Sequence, residues 1–388
     1  MNICGIIAEY DPLHSGHAWQ LGEAARLSGA DKVVCVLSGC FTQRGMPALL
    51  RARDRAEMAL RAGADLVLQM PYSYSVAHAE RFALGGVRIL RQAGVNALSF
   101  GVEPEGLPWF EAAADLLEQP TDAFQARLRA LLAQGLPFPQ AQGTALAEAL
   151  SCPPEALSLP NTVLAICYAR MNKRLKAGMR LFPVPRSGSY HDAALPEGHT
   201  LPSASAVRTA ILAGAWDRVE ESVPPAAYAV LKKAMTENRW HAPEALTPLL
   251  RWTLRQEKDF SRLPDVSEGL ENRLAAARKE STREAMIQAV KTRRYPYARI
   301  SRLLTHALTG TDAARLSEQP EYAYVLGFRG DASRLLNSAE EGFRFLSKAA
   351  PHPDSYDAAL DIAADDLWNL GAGQPFGAIF REKPIILE

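Results

Sequence analysis

No Cys-x-x-Cys pair occurs in the 388 residues, and the five cysteines (Cys4, Cys35, Cys40, Cys152 and Cys167) are odd in number. A disulfide framework or structural zinc site is therefore not expected. Net charge is missing too. Basic and acidic residues stand at 43 each, which excludes a protein that is basic all over and requires any nucleic-acid surface to be a local cluster. No apolar run approaches the length of a membrane span, and there is no internal repeat or low-complexity tract. The strand-like run that begins at Ile3 has no basic or apolar leader before it, so a cytoplasmic location and no membrane partner are expected.

What is present is a pattern of alternating strands and helices. Residues 3–8, 32–37, 64–69 and 97–100 are short apolar runs of the kind buried on both faces of a parallel sheet. Helical periodicity fills the intervals at 17–27, 54–62 and 80–93, and Leu181–Val184 offers a fifth strand. This alternation predicts an α/β, doubly wound, Rossmann-like domain with its ligand at the carboxyl ends of the strands. The Pro-interrupted helical stretch 103–160 is expected to be an insertion that covers the site. From about Ser205 the strand signal fades. Residues 205–213, 225–236, 243–258, 268–278, 281–292, 299–308, 331–349 and 360–369 all have helical patterns. The expected division is a catalytic domain over 1–215 and a mostly α-helical C-terminal domain over 216–388, a split that also suits the length.

The first strand leads through Glu9-Tyr10-Asp11-Pro12-Leu13 into His14-Ser15-Gly16-His17 and the first helix. A helix N-terminus offers unpaired N–H groups and partial positive charge to phosphate. Gly16 leaves room for a nucleotide against the backbone, and Asp11-Pro12 fixes a turn. Two histidines three apart can point into one pocket and donate to phosphate oxygens as charge builds there. The alternatives are a helix cap without chemistry, and a metal pair. The second lacks further ligands at suitable spacing, and no metal site is expected in the protein itself.

This opening is similar to that of the bacterial tRNA(Met) cytidine acetate ligases, a branch of the HIGH nucleotidyltransferase superfamily. The resemblance continues through Ser38-Gly39-Cys40-Phe41-Thr42-Gln43-Arg44-Gly45-Met46-Pro47-Ala48, then Arg55–Leu60, Gly63–Val67 and Ser99-Phe100-Gly101. Further along it takes in Leu159–Thr162, Arg186–Asp192, Ser203–Arg208, Gly269–Arg273, Lys291–Tyr295, Val325–Phe328 and Leu360–Ile362. It implies a HIGH-type nucleotidyltransferase fold and an ATP-dependent ligase. Such an enzyme activates acetate as acetyl-adenylate and acetylates the wobble cytidine of elongator tRNA(Met), giving N4-acetylcytidine. It implies ATP as cofactor, with Mg2+ carried on it, and tRNA(Met) and acetate as partners. It places ATP on Ile7, Ala8, Glu9, Tyr10, Asp11, Pro12, His14, Gly16, His17, Gln20, Gly101, Asn161 and Arg186, with His14 and His17 catalytic. The chain departs from the family pattern at Asp11 (usually Asn), at Cys40 (usually Asp or Asn), and at Arg51 and Ala52, which stand where an Asp-Lys pair is usual.

Lys291 to Arg302 holds five positive residues, no acidic one and two tyrosines. Lys291, Arg293, Arg294, Tyr295, Arg299 and Arg302 are the candidate RNA contacts, through phosphate neutralisation and base stacking. A solvated helix face with core tyrosines is the alternative. Two other functions share the first motif, a small-molecule cofactor adenylyltransferase and a non-catalytic nucleotide-binding protein.

Overall fold

In the computed structural model, residues 1–186, 202–257, 259–266, 269–292 and 294–388 are described. Strands β1 (Ile3–Ala8), β2 (Lys32–Leu37), β3 (Leu66–Gln69), β4 (Ala97–Val102) and β5 (Arg180–Pro185) are mutually parallel, in the order β5-β4-β1-β2-β3. The order reverses between β1 and β4, so the crevice at their carboxyl ends is the ligand position of a doubly wound sheet. Both sheet faces are covered, as the apolar runs required. Val34, Val36, Leu66 and Leu68 enter one core with the helices Ala79–Gln92 and Pro160–Arg174. Cys35, Leu37 and Val67 enter the other, with helices α1 (Ser15–Ser28) and α2 (Ala52–Arg61). Cys4 and Cys35 pack there as small hydrophobes, and all five cysteines are buried free thiols.

The C-terminal half departs from the expected division. The chain returns to the sheet with β6 (Tyr322–Arg329), which pairs antiparallel with β3; β7 (Arg344–Leu346) and β8 (Ile385–Leu387) both pair with β6. Helix Pro225–Thr236 packs on α2 and shares its core. A separate helical core spans only Leu250 to Ala307. Residues on both sides of 215 therefore share one sheet and one core, because burying both faces of α2 and the edge of β3 takes residues from beyond that point. The expected helix over 331–349 is a 3-10 segment, Gly330–Ser338, followed by β7. Among the described residues no helix is long and apolar enough to cross a membrane.

Candidate active site

A cavity of about 460 Å³ opens at the carboxyl ends of β1, β4 and β5. Its floor is the β1–α1 loop. Tyr10 adopts a positive φ of 47° and the Asp11–Pro12 bond is cis. Asp11 accepts from the Leu49 N–H at 2.7 Å and pairs with Arg208 at 3.3 Å, which ties the loop to two distant segments.

His14 is the N-cap of α1. Its Nδ1 accepts the Gly16 N–H at 3.1 Å. The proton of the neutral ring therefore sits on Nε2. That Nε2, and Nδ1 of His17, are buried with no hydrogen-bond partner. The two rings stack with centroids 3.8 Å apart, and Tyr10 lies 4.9 Å from His17. Burial, with the Arg186 and Arg208 guanidiniums adding, pushes the His14 pKa down to about 3. Burial also holds His17 well below its ordinary value, helped by His14 and Arg186. Both imidazoles are neutral N–H donors at pH 7, waiting at a helix N-terminus for acceptors. Triphosphate oxygens supply such acceptors, so the residues fit ATP. Burial raises the Glu9 carboxyl as well, although the Gln43 N–H donates to it at 2.5 Å.

The opposite end of the cavity is apolar, formed by Ile7, Phe82, Phe100, Leu164, Tyr168 and Val184. Gly101 sits between the two ends. A Cβ there would lie 3.2 Å from the Arg186 side chain, so the glycine lets Arg186 cross the end of β4. Nη1 of Arg186 donates to the Asn161 side-chain oxygen at 3.2 Å. Asn161 is in turn held by Glu103, which accepts from its N–H at 3.0 Å and its amide at 2.7 Å, and from the Thr162 N–H at 2.7 Å. Burial alone would raise the Glu103 pKa, but these hydrogen bonds outweigh it and the net shift is downward. Asn161 is thus the second residue of helix Pro160–Arg174, in its first turn, and aims Arg186. Leu159 occupies the N-cap position, and the Glu103 carboxylate closes the helix end from outside.

Of the residues expected around ATP, all but Pro12 line this cavity; Pro12 is buried behind the loop. The cavity also takes in residues that the sequence analysis did not assign, including Trp19, Gln43, Arg44, Met46 and Arg208. Of these, Gln43, Arg44, Met46 and Arg208 lie inside blocks already resembling the family, which was the available signal. Glu103 left none. No residue of 103–160 lines the cavity, so that stretch is not a cover: its helices pack against Pro160–Arg174 and one another. Arg51 does not stand in for the missing lysine at the phosphates. It lies outside the cavity and pairs with Glu382 at 2.5 Å and Asp365 at 3.2 Å. Among the described residues no three His, Cys, Asp or Glu side chains converge as a metal site. Ser187–Asp192 lies outside the described residues.

The basic segment is only partly a surface. Lys291 and Arg294 are exposed, and Arg293 lies outside the described residues. Tyr295 is 4% exposed and belongs to the helical core, so its ring offers no face to a base. Arg302 is buried beside Asp265 at 3.6 Å, and Arg299 donates to the Asp265 carbonyl at 2.9 Å. Tyr295 and Arg302 are thereby corrected from RNA contacts to packing residues.

Comparison with known proteins agrees with this geometry. The profile of the HIGH nucleotidyl transferase family matches residues 1–376. The tRNA(Met) cytidine acetate ligase of Caldicellulosiruptor saccharolyticus is 35% identical, over 92% of this chain and 88% of its own. That of Lysinibacillus sphaericus is 31% identical over 96% of each. The crystal structure of apo Thermotoga maritima TmcAL superposes over 100% of both chains, with a TM-score of 0.91 at 26% identity. The same protein bound with alpha-thio ATP gives a TM-score of 0.89 at 25% identity, again over 100% of both chains. Motif, sheet order, cavity and full-length similarity agree: this chain belongs to the tRNA(Met) cytidine acetate ligase family of HIGH nucleotidyl transferases.

Proposed function

We propose that this protein binds ATP in the cavity at the β1–β4 crevice, activates acetate there, and acetylates the wobble cytidine of elongator tRNA(Met). The observation that carries the reading is the pair of buried, partnerless imidazole nitrogens at the N-terminus of α1. In the first step an acetate oxygen attacks the α-phosphorus, the bond to the β-phosphate oxygen breaks, and pyrophosphate leaves. The N–H of His14, fixed on Nε2 by Gly16, donates where negative charge accumulates. Arg186, aimed by Asn161, and Arg208 add positive charge to the same space. Mg2+ carried on the triphosphate would neutralise part of its charge. In the second step the exocyclic amine attacks the acetyl carbon, AMP leaves, and the amine gives up a proton. Lys291 and Arg294 are exposed and available to RNA phosphates.

The test is acetate-dependent exchange between ATP and pyrophosphate, followed by mass spectrometry of tRNA(Met) incubated with the complete mixture. Exchange together with N4-acetylcytidine is expected. Absence of exchange would exclude acetate activation; exchange without tRNA acetylation would point to a small-molecule acceptor.

A further inference from the structure

A second cleft, of about 50 Å³, lies across the Gly39–Leu50 segment from the ATP cavity, where β6 passes the N-terminus of α2. Cys40, Arg51 and Ala52, three of the four departures from the family pattern, line it together. Both carboxylates that line it already hold donors. Asp365 takes Arg51 and Cys40 on one oxygen and Asn369 and Ile379 on the other, and Glu382 takes Arg51. Its donors are left over. Nε of Arg51 is buried without a partner. Tyr324 lines the cleft and is 4% exposed, and its hydroxyl likewise has no partner. The ten-residue helix α2 has no side-chain cap. Arg53, Lys348 and Lys383 add positive charge at the rim.

A pocket whose carboxylates are paired and whose buried donors are not calls for a guest that accepts. Helix N-terminus, guanidinium, phenol and ammonium together select an anion over water. The volume suits a group of a few heavy atoms and is too small for a nucleoside. We propose that this cleft is a binding site for a phosphate-type oxyanion, separate from the ATP cavity. The guest is either free inorganic phosphate or a phosphodiester of a bound RNA strand, and the two present the same oxygens. The phosphodiester source rests on the RNA-acceptor reading above; the oxyanion site itself does not.

The experiment titrates the full chain, with ATP present to fill the first cavity, with inorganic phosphate by calorimetry and thermal melts. Wild type is expected to bind and to melt higher as phosphate rises. Tyr324→Phe removes one donor and nothing else, and should weaken binding about tenfold, as loss of a charge-assisted hydrogen bond does. Without phosphate this variant should melt no lower than wild type, because the hydroxyl has no protein partner. Lys348→Ala, on the surface, is the second variant. A tRNA binding series at several salt concentrations forms the other arm. If RNA supplies the guest, the Lys348→Ala slope should fall by a little under one unit, about one counterion. Weakened phosphate binding with an unchanged RNA slope identifies free phosphate, and a reduced slope with little free-phosphate binding identifies the phosphodiester. If neither phosphate binding nor the slope responds to the two substitutions, the cleft holds only water and the proposal is overturned.

Discussion

In the proposed function His14 and His17 face the charge that develops in the transition state, so they should matter more to turnover than to ATP affinity. His17→Ala is expected to slow acetate-dependent pyrophosphate exchange about a hundredfold, the scale for losing an oxyanion-type donor. ATP binding, measured separately, should weaken far less; full exchange activity would remove the residue from the chemistry. The same burial has a consequence for stability. Below the ordinary histidine pKa of 6.5 the unfolded chain binds protons that the folded His14, at about 3, refuses. Stability is therefore full above pH 6.5 and falls as pH drops, by up to about 1.4 kcal/mol per pH unit per group. His241 and His306, both pushed to about 4 mainly by burial, act in the same direction. Melts between pH 7.5 and 5 should show the decline, with a shallower slope in His14→Gln; equal slopes would contradict the burial of this ring. At this scale the sequence was informative where function is local. The histidines, Gly16 and Gly101 lie at strand ends and could be read in place. Glu103 could not, because its partners at 161 and 162 come to it only through the packing of helix Pro160–Arg174 against β4, 58 and 59 residues along the chain.

At the scale of elements, the basic segment was legible as charge but not as orientation. Helix Tyr297–Thr309 turns Ile300, Leu303 and Leu304 inward, and the burial of Arg302 follows from its place among them. The helix also holds the Gly39–Leu50 segment, which lines the cavity through Gln43, Arg44 and Met46. Gly45, at φ 77°, approaches the Arg302 backbone so closely that a Cβ would lie 2.7 Å from the Arg302 Cα. Arg283 is buried and donates to the carbonyls of Gly45 at 2.8 Å and Ser301 at 2.7 Å, and to the Thr305 hydroxyl at 2.8 Å. From the other side Trp368 donates to the Ala48 carbonyl at 2.7 Å. Arg283→Met would strip several buried acceptors, so a loss of about 3 kcal/mol or more is expected. The apparent ATP constant should rise with it, since Gln43 and Arg44 lose their anchor. Denaturant unfolding and an ATP titration check both, with Lys291→Ala as an exposed control expected to stay within about 0.5 kcal/mol of wild type. An Arg283→Met protein with unchanged ATP binding would mean that the clasp does not reach the site.

On the scale of the whole molecule, strands β1 to β5 were legible because each is an apolar run followed by a helix. Strand β6 was not. Tyr322–Arg329 has no helix in βα alternation with it, and its partner β3 lies about 255 residues earlier, in antiparallel register. With only three residues each, β7 and β8 carry too little pattern to register. This topology predicts that a chain ending at residue 215 will not fold by itself. It would expose the edge of β3 and uncover the face of α2 that Pro225–Thr236 covers. Such a chain should lack a cooperative thermal transition and should aggregate. A sharp melt with ATP-dependent stabilisation would instead restore the boundary at 215.

The late arrival of β6 also matters while the protein is being made. All the residues of the HIGH-type motif leave the ribosome early, yet the strand that covers the edge of β3 follows much later. At synthesis rates of roughly 5–20 residues per second, some 255 residues mean a wait of about 13–50 s. Through that interval the β3 edge stands open to any other nascent strand. The polysome, more than the mature enzyme, is where this fold is vulnerable to mispairing and where a holdase would have most to protect.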